Sequence, residues 1–250
     1  MSNQGIAHVA LTVRDLSGMA SFYEQVMGLT PMGQNGEQID LGAGGQVLIS
    51  LQGDKAAQPL DPRDAGLFHT AFLLPDRASL GAWLLHAADT GVRLSGASDH
   101  GVSEALYLND PEGNGIEIYR DRPDSEWIRH GDRIEMFTAR LDLNDLMASA
   151  NGPRQMLPDG SIIGHVHLQV GDLAVADKFM QDELRLTQTF DAQGAAWYGW
   201  NGYHHHLAAN TWNSRGAGQR TKGRTGLAHI ALHQDVQPIS DPWGTRFVTA

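Results

Sequence analysis

The chain has 250 residues, a formal net charge of −11, 12 His and no Cys. The acidic balance argues against a nucleic-acid binder or an anionic-membrane binder, because clustered Lys and Arg supply the affinity for both. The lack of Cys excludes disulfides, zinc–thiolate sites, iron–sulfur clusters and cysteine nucleophiles, so imidazole and carboxylate are the strong transition-metal ligands available.

Four segments of the chain open alike. Each has a Gly shortly before a His and then alternating apolar residues, a pattern typical of a half-buried strand. In chain order they are GIAHVALTVRDL (5–16), GLFHTAFLLPDR (66–77), IGHVHLQVGDL (163–173) and GLAHIALHQDV (226–236). The chain is therefore predicted to be built from repeated modules.

The segments that follow these openings repeat as well. In the first three copies apolar residues recur at helical spacing, and short strand-like runs come after the helix, so the unit is β-α-β-β-β. The fourth copy has only 25 residues from Gly226 onward and lacks the helix and the middle strands. We therefore predict an α+β fold of tandem βαβββ modules, paired into cup-shaped mixed sheets, with a truncated fourth module.

The modules are predicted to form two halves. Residues 1–123 hold the first two modules and are expected to form an N-terminal domain with the metal site. Residues 124–161 are polar and contain Pro and Gly, which favours a linker with one short helix at 142–150. Residues 162–250 are expected to form a C-terminal domain of one full module and the truncated one.

Three residues of the N-terminal half form a candidate metal site. His8 and His69 occupy the same position in equivalent opening strands, and Glu117 lies on the last strand of the second module. A Glu on an otherwise apolar strand is uncommon unless it is paired or ligated. If the two modules pack side by side into a cup, these side chains meet as two imidazoles and one carboxylate, the ligand set of non-heme Fe(II) oxygenases. A lone His is more often a core or surface residue, but the shared position and the carboxylate favour ligation.

On these residues the chain resembles the vicinal oxygen chelate superfamily, and within it the extradiol catechol 2,3-dioxygenases. The motifs are HVALTVRDLSGMASFYEQVMGL, FHTAFLLPDR, SDHGVSEALYLNDPEGNGIEIYRDRP, GHVHLQVGDL and GYHHHLAANTWNSRGA. The resemblance implies ring cleavage of a catechol beside its hydroxyls with O₂ and Fe(II), Mn(II) being the alternative ion. It implies His8, His69 and Glu117 as ligands, Tyr107 as a residue that orients a substrate oxygen, and His100 as a proton relay.

The chain departs from the best-known extradiol pattern. Those enzymes hold iron in the C-terminal half and carry another active-site His near the end of the module that supplies the first ligand; here that stretch is VLISLQGDKAAQ. A glyoxalase-type isomerase is disfavoured because the last strand of module one lacks the further Glu that it needs. A Mn(II)-dependent thiol transferase has the same ligands in a chain of about half the length. A metal-free binding protein is disfavoured by the intact ligands.

A second group of histidines lies in the C-terminal half. It is interpreted either as a second metal site or as a buried polar network near Asn210 and Trp212. The network is favoured, because the position that matches Glu117 in the fourth module is Val248 and no carboxylate completes a site. The group consists of His165, His167, His204, His205, His206 and His229.

The expected partners are a small aromatic substrate and O₂, with no nucleic acid and no membrane. The first residues show no basic segment before an apolar run, and no stretch approaches the length of a membrane span, so a cytoplasmic location is predicted. A truncated fourth module leaves a sheet edge exposed, which favours a homo-oligomer.

Overall fold

The computed structural model describes residues 5–250 and contains four α-helices. The helices are α1 (Leu16–Gln25), α2 (Arg77–Asp89), α3 (Leu143–Ala148) and α4 (Leu173–Asp182). The strands are β1 (Ile6–Val13), β2 (Thr30–Asn35), β3 (Gln38–Ala43), β4 (Gln46–Gly53), β5 (Gly66–Leu73), β6 (Gly96–Asp99), β7 (Ser103–Asn109), β8 (Gly115–Asp121), β9 (Arg129–His130), β10 (Arg133–Ile134), β11 (Ala139–Arg140), β12 (Ile162–Gln169), β13 (Thr187–Ala192), β14 (Ala195–Gly199), β15 (Leu207–Asn210), β16 (Gly226–Leu232), β17 (Ile239–Ser240) and β18 (Arg246–Thr249).

An aspartate caps the start of every one of these helices. The Asp15 carboxylate accepts a hydrogen bond from the backbone N–H of Gly18, and Asp76 accepts one from Ser79. Asp142 and Asp172 do the same for α3 and α4. A side-chain oxygen at this position satisfies an N–H that has no partner inside the helix, so these four residues define where the helices begin.

Most of the strands form two large sheets. One has seven strands in the order β17-β18-β16-β1-β4-β3-β2, and the other has nine in the order β11-β6-β7-β8-β5-β12-β15-β14-β13. Both are mixed, and the predicted α+β fold of repeated modules is confirmed. Between Gly226 and the C-terminus the structure describes β16, β17 and β18 and no helix, as predicted for a truncated fourth module.

The modules pair differently from the expectation. β1 of the first module pairs antiparallel with β16 of the fourth, and β5 of the second pairs antiparallel with β12 of the third. The expected packing of the first two modules into one cup is corrected accordingly. The four opening strands share one sequence pattern, so that pattern does not specify which two of them become neighbours. Each large sheet contains strands from before and from after the predicted linker at 124–161.

The two faces of the nine-stranded sheet differ in polarity. Ile116 and Ile118 of β8 belong to the main hydrophobic core, whereas Tyr119 packs with Ala71 in a separate small cluster on the opposite face. Side chains alternate along a strand, so Glu117 lies on the same face as Tyr119. Among residues 5–250, no helix has both the length and the apolar character that crossing a membrane requires.

Candidate metal centre

Three neighbouring strands of the nine-stranded sheet bring His69, Glu117 and His165 together. Ala71 of β5 is paired with Glu117 of β8 on one side and with His165 of β12 on the other. His69 lies two residues before Ala71 and therefore projects from the same face.

The ligand atoms of these residues are close enough to share one ion. Oε2 of Glu117 lies 3.0 Å from Nε2 of His69 and 3.2 Å from Nε2 of His165, and the two imidazole nitrogens are 3.4 Å apart. Neighbouring ligands of an octahedral ion, each at about 2.1 Å from it, stand about 3 Å apart. The donor set and its spacing therefore fit one face of a six-coordinate divalent metal, with the remaining positions open.

The Glu117 carboxyl is held in its ionised form. Burial by itself raises its pKa, but the charges and hydrogen bonds of His165 and His69 outweigh burial and hold the pKa well below its usual value. An ionised, buried carboxylate between two imidazoles needs a compensating positive charge. A divalent cation bound by these three side chains would supply that charge.

His8, the other predicted ligand, is not part of this group. It lies on β1 in the seven-stranded sheet, where its ring centroid is 5.7 Å from that of His229. In the part of the chain that the structure describes, His69, Glu117 and His165 are the one group of potential ligands whose atoms all lie within 4.8 Å of one another. His165 thus takes the place expected for His8, because module two pairs with module three.

His100 and Tyr107, the predicted catalytic pair, lie beside this centre. Tyr107 on β7 is the register partner of Glu117, and its hydroxyl is 2.8 Å from Nε2 of His100. Nδ1 of His100 is 2.8 Å from the carbonyl oxygen of Phe137. A carbonyl only accepts, so Nδ1 carries the hydrogen and, in the neutral ring, Nε2 accepts from the Tyr107 hydroxyl. Burial and the nearby Glu117 raise the pKa of Tyr107 well above its ordinary value, so the phenol stays protonated.

Comparison with known proteins identifies the family to which this chain belongs. The family model described as Glyoxalase/Bleomycin resistance protein/Dioxygenase superfamily matches residues 5–118. A catechol-2,3-dioxygenase of Bacillus subtilis (strain 168) is 38% identical over 239 residues, which are 92% of this chain and 84% of the relative. The chain belongs to the glyoxalase/bleomycin resistance protein/dioxygenase superfamily.

Two further proteins match along much of the chain. A protein named biphenyl-2,3-diol 1,2-dioxygenase 3 from Rhodococcus globerulus is 27% identical over 164 residues, covering 63% of this chain and 86% of its own. The crystal structure of glyoxalase I from Zea mays aligns with a TM-score of 0.57 at 16% identity, covering 98% of this chain and 91% of that chain. The latter likeness concerns the fold.

A buried histidine that the sequence analysis assigned to the second histidine group lies beside the metal group. His205 precedes β15, and its ring centroid lies 4.1 Å from that of His165. Nδ1 of His205 is 2.7 Å from Nδ1 of His204, and Nε2 of His204 is 2.8 Å from Oδ1 of Asp121. The carboxylate accepts from His204 Nε2–H, so in neutral rings Nδ1 of His204 accepts from His205. Nε2 of His205 is left with a free lone pair.

The position of His205 can be compared with the further active-site His that the resemblance to extradiol dioxygenases implies. The resemblance to extradiol dioxygenases implies a further His near the end of the module that supplies the first ligand. Module one lacks it, but module three, which supplies His165, carries His205 just before its last strand. The signal in the sequence was YHHHLAAN together with His165, and it pointed to the site only once the module pairing was known.

The remaining histidines of the second group have separate environments. His167 accepts a hydrogen bond at Nε2 from the Asn210 amide at 3.0 Å, as the predicted polar network implies. Burial lowers the pKa of His206 to about 3, and its Nδ1 accepts from the backbone N–H of Trp200. His229 lies in the other sheet. The group therefore does not gather around a second ion.

A cavity of about 510 Å³ adjoins the metal group. The ligands His69, Glu117 and His165 form part of its wall, together with His100, Tyr107 and His205. The rest of the wall is largely apolar and aromatic. The group thus lies in a pocket with room for an organic molecule, as an enzyme site requires.

Proposed function

We propose that the chain is an extradiol ring-cleaving dioxygenase that adds O₂ to a catechol-type diol at a non-heme Fe(II) ion held by His69, His165 and Glu117. The observation that carries the proposal is the triangle of ligand atoms, 3.0 to 3.4 Å apart, at the wall of a 510 Å³ cavity. The 38% identity to a protein named catechol-2,3-dioxygenase supports the same reaction class.

Two imidazoles and one carboxylate leave coordination positions for a chelating diol and for O₂. When bound there, Fe(II) supplies the redox partner for O₂ and lowers the pKa of the diol hydroxyls; Mn(II) is the alternative ion. The buried carboxylate of Glu117 offsets part of the positive charge, and the rigid strands β5, β8 and β12 hold the three ligands without a loop.

Tyr107 and His100 orient the substrate in this proposal. The Tyr107 O–H donates to Nε2 of His100, so the lone pairs of the phenol oxygen are free to accept a hydrogen bond from a substrate hydroxyl. The carbonyl of Phe137 fixes the His100 ring that sets this direction. A residue held by a second hydrogen bond positions its partner better than one free to rotate.

His205 is the proposed proton acceptor. Its unprotonated Nε2 can take a proton from a diol hydroxyl, and its Nδ1–H is held by the chain through His204 to Asp121. Burial lowers the pKa of His205 well below the ordinary value, so the ring is neutral before a substrate binds. Asp121 is fixed in turn by the Tyr203 hydroxyl, which donates to its Oδ2 at 2.8 Å.

A glyoxalase-type isomerase remains disfavoured. Besides Glu117, that chemistry needs a further Glu on the last strand of the module that supplies the other His ligand, here His165 of module three. The last strand of module three is β15, with the sequence LAAN, and it carries no acid. The predicted homo-oligomer and cytoplasmic location stay predictions.

The proposal is tested by loading the protein with Fe(II) under argon, measuring bound iron, and adding catechol in air. A yellow ring-cleavage product is expected in wild type and not in Glu117→Gln, which should lose the iron. Asp40→Asn in the other sheet is the matched control and should behave as wild type. Wild-type protein with verified iron and no ring-cleavage product from any catechol would refute the proposal.

A further inference from the structure

We infer that the pocket selects catechols that carry an uncharged, apolar substituent about as large as a second ring, and rejects those with a carboxylate or ammonium group. The inference rests on the proposed function for the catechol part. The substituent part rests on the wall of the cavity away from the metal ligands.

The first observation is the chemistry of that wall. Five aromatic side chains and one Met line it, and several touch one another. The Phe190 and Trp197 ring centroids are 5.3 Å apart, and so are those of Phe68 and Trp212. Such surfaces bind flat apolar groups by offset or edge-to-face contact. The wall residues are Phe68, Met136, Phe137, Phe190, Trp197 and Trp212.

The second observation is size. An engineered cavity of about 150 Å³ is enough to hold benzene. The cavity here has a volume of about 510 Å³, so one catechol ring at the metal leaves more than half of the space unfilled. A substrate that filled the remainder would bury additional apolar surface against Trp197 and its neighbours.

The third observation is charge. Within residues 5–250, neither Lys nor Arg lines the cavity, and Glu117 is its one acidic side chain. Glu117 is already engaged by His69 and His165. A carboxylate on the substrate would be buried without a cationic partner, and an ammonium without a free anionic one, which is costly in either case. The net charge of −11 adds to the penalty for anions.

The fourth observation is where the wall comes from. Phe190 lies on the edge strand β13 and Trp197 on its neighbour β14, and β15 separates these two strands from the ligand strand β12. Phe137 and Trp212 are 49% and 50% exposed, so they flank the mouth of the cavity. Phe190 and Trp197 are therefore on different strands from the residues that hold the metal, and they can be changed without changing the ligands.

The test measures binding to the Fe(II)-loaded protein without O₂, by calorimetry, for a matched series. The probes are 4-ethylcatechol, 3,4-dihydroxyphenylacetate and 4-(2-aminoethyl)catechol, which share a two-carbon arm and differ in charge, together with catechol and a phenyl-substituted catechol. We expect ethylcatechol to bind at least about tenfold more tightly than either charged probe, and the phenyl compound to bind about tenfold more tightly than catechol. A charged probe that binds as tightly as ethylcatechol, or no gain from the phenyl group, would overturn the inference.

Two variants of Phe190 test whether the aromatic wall of the cavity causes the selectivity. Phe190→Arg should bring the binding of dihydroxyphenylacetate to at least that of ethylcatechol, and Phe190→Leu, the matched control, should keep the wild-type order. If Phe190→Arg fails to fold, the wild-type series alone still decides. Ring cleavage is scored separately in air: a wild-type binding order as expected without any cleavage would refute the proposed function and leave the pocket's selectivity in place.

Discussion

The two large sheets present the same backbone arrangement and different chemistry. In the nine-stranded sheet, Ala71 is flanked by Glu117 and His165. In the seven-stranded sheet, Ala10 is flanked by Ser50 and His229 in the same parallel and antiparallel sense. Strand register thus brings three equivalent positions together in each sheet. The ligand set is complete where the third position is Glu117 and incomplete where it is Ser50.

The imidazole pairs of the two sheets are also alike. The His69 and His165 ring centroids are 5.5 Å apart, and those of His8 and His229, at the matching positions, are 5.7 Å apart. The second pair is half-buried rather than buried. The local sequence indicates His8 as a ligand as strongly as His69, because the two residues occupy equivalent positions of equivalent strands. The two sites differ because β8 places Glu117 beside His69, whereas β4 places Ser50 beside His8.

The largest expected effect separates the two histidine pairs. His165→Ala should weaken divalent-metal binding at least about 100-fold, because it removes a ligand, and losing a residue that only hydrogen-bonds a ligand already costs about 10–100-fold. His8→Ala should leave metal binding unchanged. Metal content after dialysis against a chelator measures both. Metal loss in His8→Ala and metal retention in His165→Ala would show that His8, and not His165, is the ligand.

A second prediction concerns the His205–His204–Asp121 chain, since module one has no His at the corresponding strand end. Asn at position 121 can donate its amide to Nε2 of His204, which moves the hydrogen of His204 to Nδ1. His205 must then accept there and present Nε2–H to the pocket, so Asp121→Asn should lower kcat about 100-fold. Bound iron should be unchanged, and so should KM.

Asp191→Asn is the control for the Asp121 change, because this carboxylate is exposed and pairs with Arg133 at the surface. Its kcat should equal that of wild type. Equal kcat in Asp121→Asn and wild type would remove the hydrogen-bond chain from the mechanism.

A third prediction sharpens the comparison by adding the missing carboxylate. In a Glu117→Ala background, Ser50→Glu should restore about one equivalent of bound Ni(II) or Zn(II), now held with His8 and His229. Without metal this variant should be less stable, because the new carboxylate replaces a hydroxyl that donates to Asp40 at 2.6 Å. Ser50→Gln should bind no metal, and a Ser50→Glu double variant that does the same would show that matching register is insufficient.

The smallest expected effect tests the packing beside the ligands. Gly164 precedes His165, and a Cβ there would stand 1.8 Å from the Tyr119 hydroxyl. Gly164→Ala should therefore lower the free energy of unfolding by about 1–3 kcal/mol, as overpacking does. The matching residue before His229 is Ala228, and Ala228→Gly should cost only about 0.5–1 kcal/mol. Thermal unfolding, with roughly 2–4 °C expected per kcal/mol for a chain of this size, distinguishes the two.

Local patterns in the sequence were sufficient for the modules and for part of the site. The alternation in GIEIYR placed Glu117 opposite Ile116 and Ile118, and the core confirms those two isoleucines. The truncated fourth module and the superfamily also followed from local motifs. These features depend on residues a few positions apart, so a reader of the chain can recognise them without knowing which strands become neighbours.

Which modules pair with each other could be known only from the tertiary structure. Each opening strand carries the same Gly, His and alternating apolar residues, so several pairings satisfy the local pattern equally well, and the packing of all four modules selects one. Through that selection His165 joins His69 and Glu117, His205 reaches the pocket, and His8 lies in the other sheet. Local sequence was thus enough to identify His and Glu as the kinds of ligand. Only contacts between distant parts of the sequence decided which of these side chains meet at one site.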